Sequence, residues 1–223
     1  MSDPSHRNRT LPTAGMAPAT RALDAGLIPD PVTGAIAPTL VASVNNVFSP
    51  GSAGFSAEGA DLTDQPYLYA RWTNPTTRAL EERLAGLEGG EDALATATGV
   101  AAAAAVFLTL LKAGDHLILS EVCYAGVYEL ATRVLPDLGI AVTPCDLTDP
   151  AAIRAAFRPT TRLIHAETPC NPLLRLTDLA ALSAIAREAG VLTSVDSTLA
   201  TPVITRPLDH GVDLVIHSLT KFM

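Results

Sequence analysis

Lysine is nearly missing from this sequence. Its 223 residues include 15 basic side chains, of which thirteen are arginine and two are lysine, Lys112 and Lys221. Where charge alone is needed arginine serves, so the rare lysine is expected where an amine is required: an amine can form covalent bonds, whereas a guanidinium cannot. A basic surplus is missing too. With 23 acidic residues the net charge is −8 and the basic residues are scattered, so no surface is prepared for nucleic acid or anionic lipid, and a small molecule is the expected partner. Cysteine is sparse. Cys123, Cys145 and Cys170 form no CxxC and leave an odd count, which excludes a legible zinc site or disulfide framework and suits reduced thiols. The polar start MSDPSHRNRTLPTAGMAPAT has no apolar leader core, and the longest apolar stretch is alanine-rich and interrupted. Neither a signal peptide nor a membrane span is expected, and the expected location is the cytoplasm.

Apolar residues make up 48% of the chain, enough for a sizeable core in one domain or somewhat more. Two textures divide it. Residues 1–66 are rich in Pro, Gly, Ser and Asn, as in PDPVTGAIAPT and VFSPGSAGFS, and are expected to form an irregular N-terminal arm before a main domain over 67–223. Helical periodicity predicts helices over 76–90, 97–114, 125–139, 149–157 and 177–190. Short apolar runs predict strands over 116–121, 140–146, 162–168, 191–196 and 213–218. Val-, Ile- and Leu-rich strands without clean alternation, separated by amphipathic helices, predict an α/β fold with a mostly parallel sheet covered on both faces. There is no internal repeat.

In such sheets ligands gather beyond the carboxyl ends of the strands, so the polar residues after each apolar run matter most. Thr168 and Asn171 follow RLIHAE, Asp196 follows VLTSV, and Ser218, Thr220 and Lys221 follow DLVIH. An amine, a carboxylate, an amide and two hydroxyls at one rim suit pyridoxal phosphate. A lysine amine condenses with its aldehyde, a carboxylate holds the ring-nitrogen proton, and a helix N-terminus favours its phosphate. Thr98 and Gly99 open such a helix, and Tyr124 offers a ring to stack on. Each residue alone also has a plainer reading. ATGVAAAAA suits a packed helix, Tyr124 a core or interface position, Asp196 a cap or turn, and Lys221 a solvated charge. His217 reads as a core histidine and stays outside the set. An imine-forming lysine enzyme without pyridoxal remains an alternative, but it leaves Asp196 and the phosphate cradle without a role.

Six segments in order, YARWTNPT, LEGGEDALATATGVAA, GDHLILSEVCYAGVY, AETPCNPLL, VDSTLATP and DLVIHSLTKF, resemble the signature blocks of the Cys/Met-metabolism family of pyridoxal-phosphate enzymes. That family includes cystathionine γ-synthase, cystathionine γ-lyase, methionine γ-lyase and the O-acylhomoserine sulfhydrylases. The resemblance runs over residues 24–223 and covers about the first half of a usual member. It implies the aspartate-aminotransferase-like fold type I and pyridoxal 5′-phosphate as cofactor. It places the cofactor link and proton shuttle on Lys221, and ring stacking and proton movement on Tyr124. Asp196 would pair with the ring nitrogen, and Asn171 would sit by the ring oxygen. Gly99 and Val100 would give backbone amides to the phosphate, Ser218 and Thr220 hydroxyls, and Thr198 would join the cofactor-binding set. Tyr69 and Arg71 would reach the phosphate of a neighbouring subunit, implying a dimer of dimers, a homotetramer. No metal, nucleic acid or membrane is implied.

The implied activity is γ- or β-elimination or replacement on a sulfur-containing or homoserine-derived amino acid, in transsulfuration and amino-acid metabolism, as a lyase or transferase. The family pattern departs at Ala125, Val127, Ser197 and Leu199, which places substrate choice in question. The resemblance also implies a further half with another strand and a small C-terminal domain bearing the arginine for the substrate's α-carboxylate. The chain as given is therefore expected to hold cofactor residues without a finished substrate site. Arg71 and Arg175 are the nearest candidates to replace that arginine. The alternative is a catalytically incomplete or degenerate fragment that keeps only the fold and the cofactor and oligomer surfaces.

Overall fold

The structure, a computed structural model, describes residues 15–24, 27, 29–30, 32–47 and 67–223. It divides into two compact units, Met1–Ala95 and Thr96–Met223. The arm expected over 1–66 falls in the first, and its residues 1–14, 25, 26, 28, 31 and 48–66 lie outside the described ones. Within the described part the arm is not wholly irregular, because Pro18–Asp24 forms a short helix, α1. It buries no residue, so no apolar periodicity marked it in the sequence. Helix α2, Pro75–Glu88, starts where Asn74 accepts the N–H groups of Thr76 and Thr77 and Pro75 supplies a preset φ. Asn74 Nδ2 also donates to the Val41 carbonyl at 3.0 Å and Thr76 Oγ1 accepts the Val41 N–H at 2.9 Å, tying the arm to the start of α2.

The second unit carries the sheet. Helix α3, Gly99–Leu110, is capped by Thr98, whose hydroxyl accepts the Ala101 N–H at 3.1 Å. Strands β1 (His116–Ser120), β2 (Ala141–Cys145), β3 (Thr161–Glu167), β4 (Leu192–Asp196) and β5 (Leu214–Ile216) all pair in parallel, in the order β2-β1-β3-β4-β5. The predicted strands are all present, with ends trimmed. Between β1 and β2 the expected single helix is instead α4 (Ala125–Glu129), a π-helical turn (Leu130–Val134) and α5 (Leu135–Asp137). Pro136 has no N–H and its ring crowds the preceding turn, and the wider turn accommodates it, with the Leu135 N–H reaching back to the Leu130 carbonyl.

Helices α6 (Pro150–Ala156) and α7 (Leu179–Glu188) are capped by Asp149 and Asp178. A four-residue helix α8, Thr201–Ile204, and a 3₁₀ turn, Pro207–His210, follow β4. Adjacent strand residues serve opposite faces of the sheet. Ile118, Ile164 and Val195 pack with Leu182 and Ile185 of α7 and Ile153 of α6. Leu117, Leu119, Leu163 and Ile216 pack with Phe107 of α3, Val127 of α4 and Leu135 of α5. Both faces are covered, so the strands read as continuous apolar runs rather than alternating ones. Among the described residues no helix is long and apolar enough to cross a membrane.

Leu117 is fully buried at the centre of the α3 face. Leu117→Ala is expected to lower stability by about 2–5 kcal/mol through lost burial and the cavity left behind. The check is a urea unfolding midpoint that falls while its slope stays constant.

Candidate cofactor site

From β1 the chain turns to one side for β2 and returns to the other for β3, so the strand order reverses between β1 and β3. In open parallel sheets the ligand crevice lies beyond the carboxyl ends at that reversal. The two polar ends meet there. Glu167, the last residue of β3, accepts the Tyr124 N–H at 2.6 Å on Oε2 and the Asn171 N–H at 2.7 Å on Oε1. Tyr124 follows β1 and precedes α4, its side chain 47% exposed at the rim. A Cβ placed on Gly126 would lie 2.8 Å from the Tyr124 ring and 3.2 Å from Val100 Cγ2, so this glycine leaves room for the ring over the start of α4.

In the next strand Asp196 stands in register with Glu167. Its Oδ1 accepts the Thr198 N–H at 2.9 Å, and Thr198 Oγ1 in turn accepts the Ser218 N–H at 2.8 Å. Ser218 Oγ and Thr220 Oγ1 share a hydrogen bond of 3.0 Å, and the Lys221 N–H donates to the Ser218 carbonyl at 3.2 Å. Ser218 also packs on the start of α3. A Cβ built on Gly99 would sit 2.9 Å from Ser218 Cβ and 3.2 Å from its Oγ, so only glycine lets the hydroxyl pair approach the helix N-terminus this closely. A 12-residue helix presents its first N–H groups, without intrahelical partners, beside two hydroxyls. That donor set fits a phosphate. A rim carboxylate, a half-exposed tyrosine ring and an exposed lysine fit the rest of pyridoxal phosphate.

Gly99, Val100, Tyr124, Asn171, Asp196, Thr198, Ser218, Thr220 and Lys221 are thus joined by contacts and by strand register in one unit. Tyr69 and Arg71 belong to the other unit. There Arg71 stacks on Tyr69 at 4.8 Å and Tyr69 meets Trp72 edge-on at 5.8 Å. The two lysines fall at opposite ends of the strands, since Lys112 precedes the amino end of β1 and Lys221 follows the carboxyl end of β5. Thr168 is occupied structurally, its buried hydroxyl accepting the Thr177 N–H at 3.0 Å. Arg175 is committed as well: it donates to Glu121 at 2.9 Å and Asp146 at 3.2 Å, so the role suggested for it at a substrate carboxylate conflicts with both ion pairs.

Burial sets the charge beneath this rim. Glu167 is 5% exposed, and desolvation raises its pKa, the two N–H bonds opposing and the Asp196 charge adding. Burial pushes the Cys123 thiol up to about 12, with Glu167 and Asp196 reinforcing, so it stays protonated. Burial pushes His165 down to about 4 against the pull of Asp196, leaving a neutral imidazole whose Nδ1 bonds Ser194 Oγ at 2.8 Å and whose ring meets Phe107 edge-on at 5.0 Å. Glu167 and the His165–Ser194 pair were missed in the sequence. The signal for Glu167 was an acid closing the strand TRLIHAE at its carboxyl end. Two of the departures from the family pattern fall at buried positions, Val127 being 2% exposed in the core and Ser197 fully buried. A cavity of about 300 Å³ is lined by Thr168, Thr177, Leu179, Ala200, Ile204 and His210, and of the rim residues named from the sequence it includes Thr168 alone.

The chain belongs to the Cys/Met metabolism PLP-dependent enzyme family, whose model matches residues 19–223. It is 42% identical over 205 residues to "Probable cystathionine gamma-synthase" of Herpetosiphon aurantiacus, covering 92% of this chain and 61% of that protein. The structure of cystathionine gamma-lyase from Lactobacillus plantarum complexed with L-serine is similar with a TM-score of 0.81 and 37% identity, over 91% of this chain and 50% of that one. A Campylobacter jejuni structure carrying N′-pyridoxyl-lysine-5′-monophosphate is similar with a TM-score of 0.82 and 26% identity, over 93% and 50%. The chain therefore spans about half the length of the proteins it matches. Its sheet is the fold type I sheet of these pyridoxal-phosphate enzymes, and pyridoxal phosphate is the family's cofactor.

Gly99→Ala is expected to force Ser218 away from the start of α3 and to weaken pyridoxal 5′-phosphate binding about 10-fold, roughly 1.4 kcal/mol. Alanine is the better helix former, so the unfolding midpoint should hold. Equilibrium dialysis against the cofactor measures the loss.

Proposed function

We propose that this chain holds the cofactor half of a site for γ- or β-elimination or replacement on a sulfur-containing or homoserine-derived amino acid. The observation that carries this is the continuous linkage from Gly99 through Ser218, Thr198 and Asp196 to Glu167, Tyr124 and Asn171, with Lys221 bonded to Ser218. Bound pyridoxal phosphate supplies an electron sink for charge developing at the substrate's Cα. Lys221 Nζ would hold the cofactor and would take and return protons at substrate Cα and Cβ, a task an arginine could not perform. The Asp196 carboxylate holds a proton on the ring nitrogen. The α3 N-terminus at Gly99 and Val100, with the Ser218 and Thr220 hydroxyls, binds the phosphate, and Thr198 fixes Ser218. Tyr124 offers its ring face and a phenolic proton, and the Asn171 amide meets the ring oxygen.

Tyr69 and Arg71 are assigned to the phosphate of a neighbouring copy in a dimer of dimers. Arg71 suits that role because a guanidinium binds phosphate bidentately. The arm over 1–66 and the cofactor domain over 67–223 are the proposed division. The three buried free cysteines support a reducing, cytoplasmic setting.

In Lys221→Ala the visible band of lysine-bound cofactor is expected to vanish, and its persistence would move the covalent link to Lys112. Release of α-keto acid from cystathionine, methionine and O-acylhomoserines reads the reaction, and absence of turnover on all of them would favour the incomplete-fragment alternative.

Asp196→Asn should keep the fold and retain cofactor while kcat falls by about 10²-fold or more, as the ring loses its proton-holding partner. A near-normal kcat in that variant would return Asp196 to a turn residue.

A further inference from the structure

We propose that Glu167 is the positioning residue of this site, a single carboxylate that sets the spacing between the Tyr124 and Asn171 backbones. Its two oxygens are divided between them, Oε2 accepting from Tyr124 at 2.6 Å and Oε1 from Asn171 at 2.7 Å. The two donors come from different connections, 43 residues away after β1 and 4 residues away after β3, so no local turn could hold them together. The clamp sits where the strand order reverses. Among the described residues no salt bridge includes Glu167, so the two N–H groups are its compensation for burial. An ionised carboxylate is an acceptor at both oxygens, which two convergent N–H donors require. Its amide isostere is not, because glutamine would turn an NH₂ donor toward one of those N–H groups.

What the clamp positions is the reactive pair of the rim. Tyr124 carries the stacking ring and Asn171 the amide, and both bonds to Glu167 are made by their backbone N–H groups, so the clamp acts on the two side chains through their backbones. The role toward the cofactor rests on the function proposed above, whereas the clamp exists independently of it. Asp213 provides a matched control. Its Oδ2 accepts both the N–H and the hydroxyl of Thr193 at 2.8 Å, at the amino ends of β4 and β5 and away from the rim.

The test compares the full chain with Glu167→Gln and Asp213→Asn by residue-resolved amide hydrogen exchange, and then by pyridoxal 5′-phosphate titration. In Glu167→Gln the Tyr124 and Asn171 amides should exchange about 10-fold or more faster while the β1 and β4 amides hold their rates. Cofactor affinity should drop about 10-fold with a shifted visible band. Asp213→Asn should lower the urea midpoint yet leave cofactor affinity and spectrum unchanged. If Glu167→Gln does not fold, Glu167→Asp, which keeps the charge but cannot span both donors, carries the same expectations. Unchanged exchange at both amides overturns the clamp. Faster exchange with unaltered affinity and spectrum overturns positioning and leaves a structural bond. Failure of the unsubstituted chain to take up the cofactor overturns the proposed function and the positioning role with it, while the exchange rates still report the clamp.

Discussion

Because all five strands run in one direction, every strand delivers its carboxyl end to the same edge of the sheet. The rest of the site depends on that constraint. Residues scattered from Gly99 to Lys221 become neighbours because each follows a strand end or opens a helix at one rim. Parallel pairing demands crossovers, and the crossovers cover both faces. The rim therefore lies outside the helix-covered faces, where polar side chains can gather at the strand ends.

The rim is electrostatically divided. Two carboxylates, Glu167 and Asp196, stand in register at its centre, and the groups beneath them are kept uncharged by burial: the Cys123 thiol is pushed up to about 12 and the His165 imidazole down to about 4. At the far side the N-terminus of α3 contributes partial positive charge next to Ser218 and Thr220. A ligand with an anionic end and a basic ring nitrogen complements that pattern in one orientation. The lysine that would join it is one of two in the chain, and the other precedes β1, toward the amino ends of the strands.

Much of the fold was legible because it is periodic. The β1 run HLILS is buried throughout, and Leu117 and Ile118 serve opposite cores, so the sequence shows an unbroken apolar stretch with a helix on either side. The cap residue Thr98 was likewise visible, ahead of the alanine-rich period of α3. Features without such a signal escaped. Helix α1 buries nothing, and the π turn before Pro136 depends on how a missing N–H is absorbed by its neighbours.

The sequence by itself determined the class of fold, the family and the chemical inventory of the rim, since strand period, helix caps and the order of six motif blocks are local properties. Only the tertiary structure decided which of those groups are available and which are already spent. Arg175 is held by Glu121 and Asp146, Thr168 by Thr177, and Val127 by the core, while Glu167, the terminal residue of β3, bridges two loops. Hydrogen bonds and ion pairs between residues tens of positions apart form only once the sheet brings strand ends together. No local pattern encodes them.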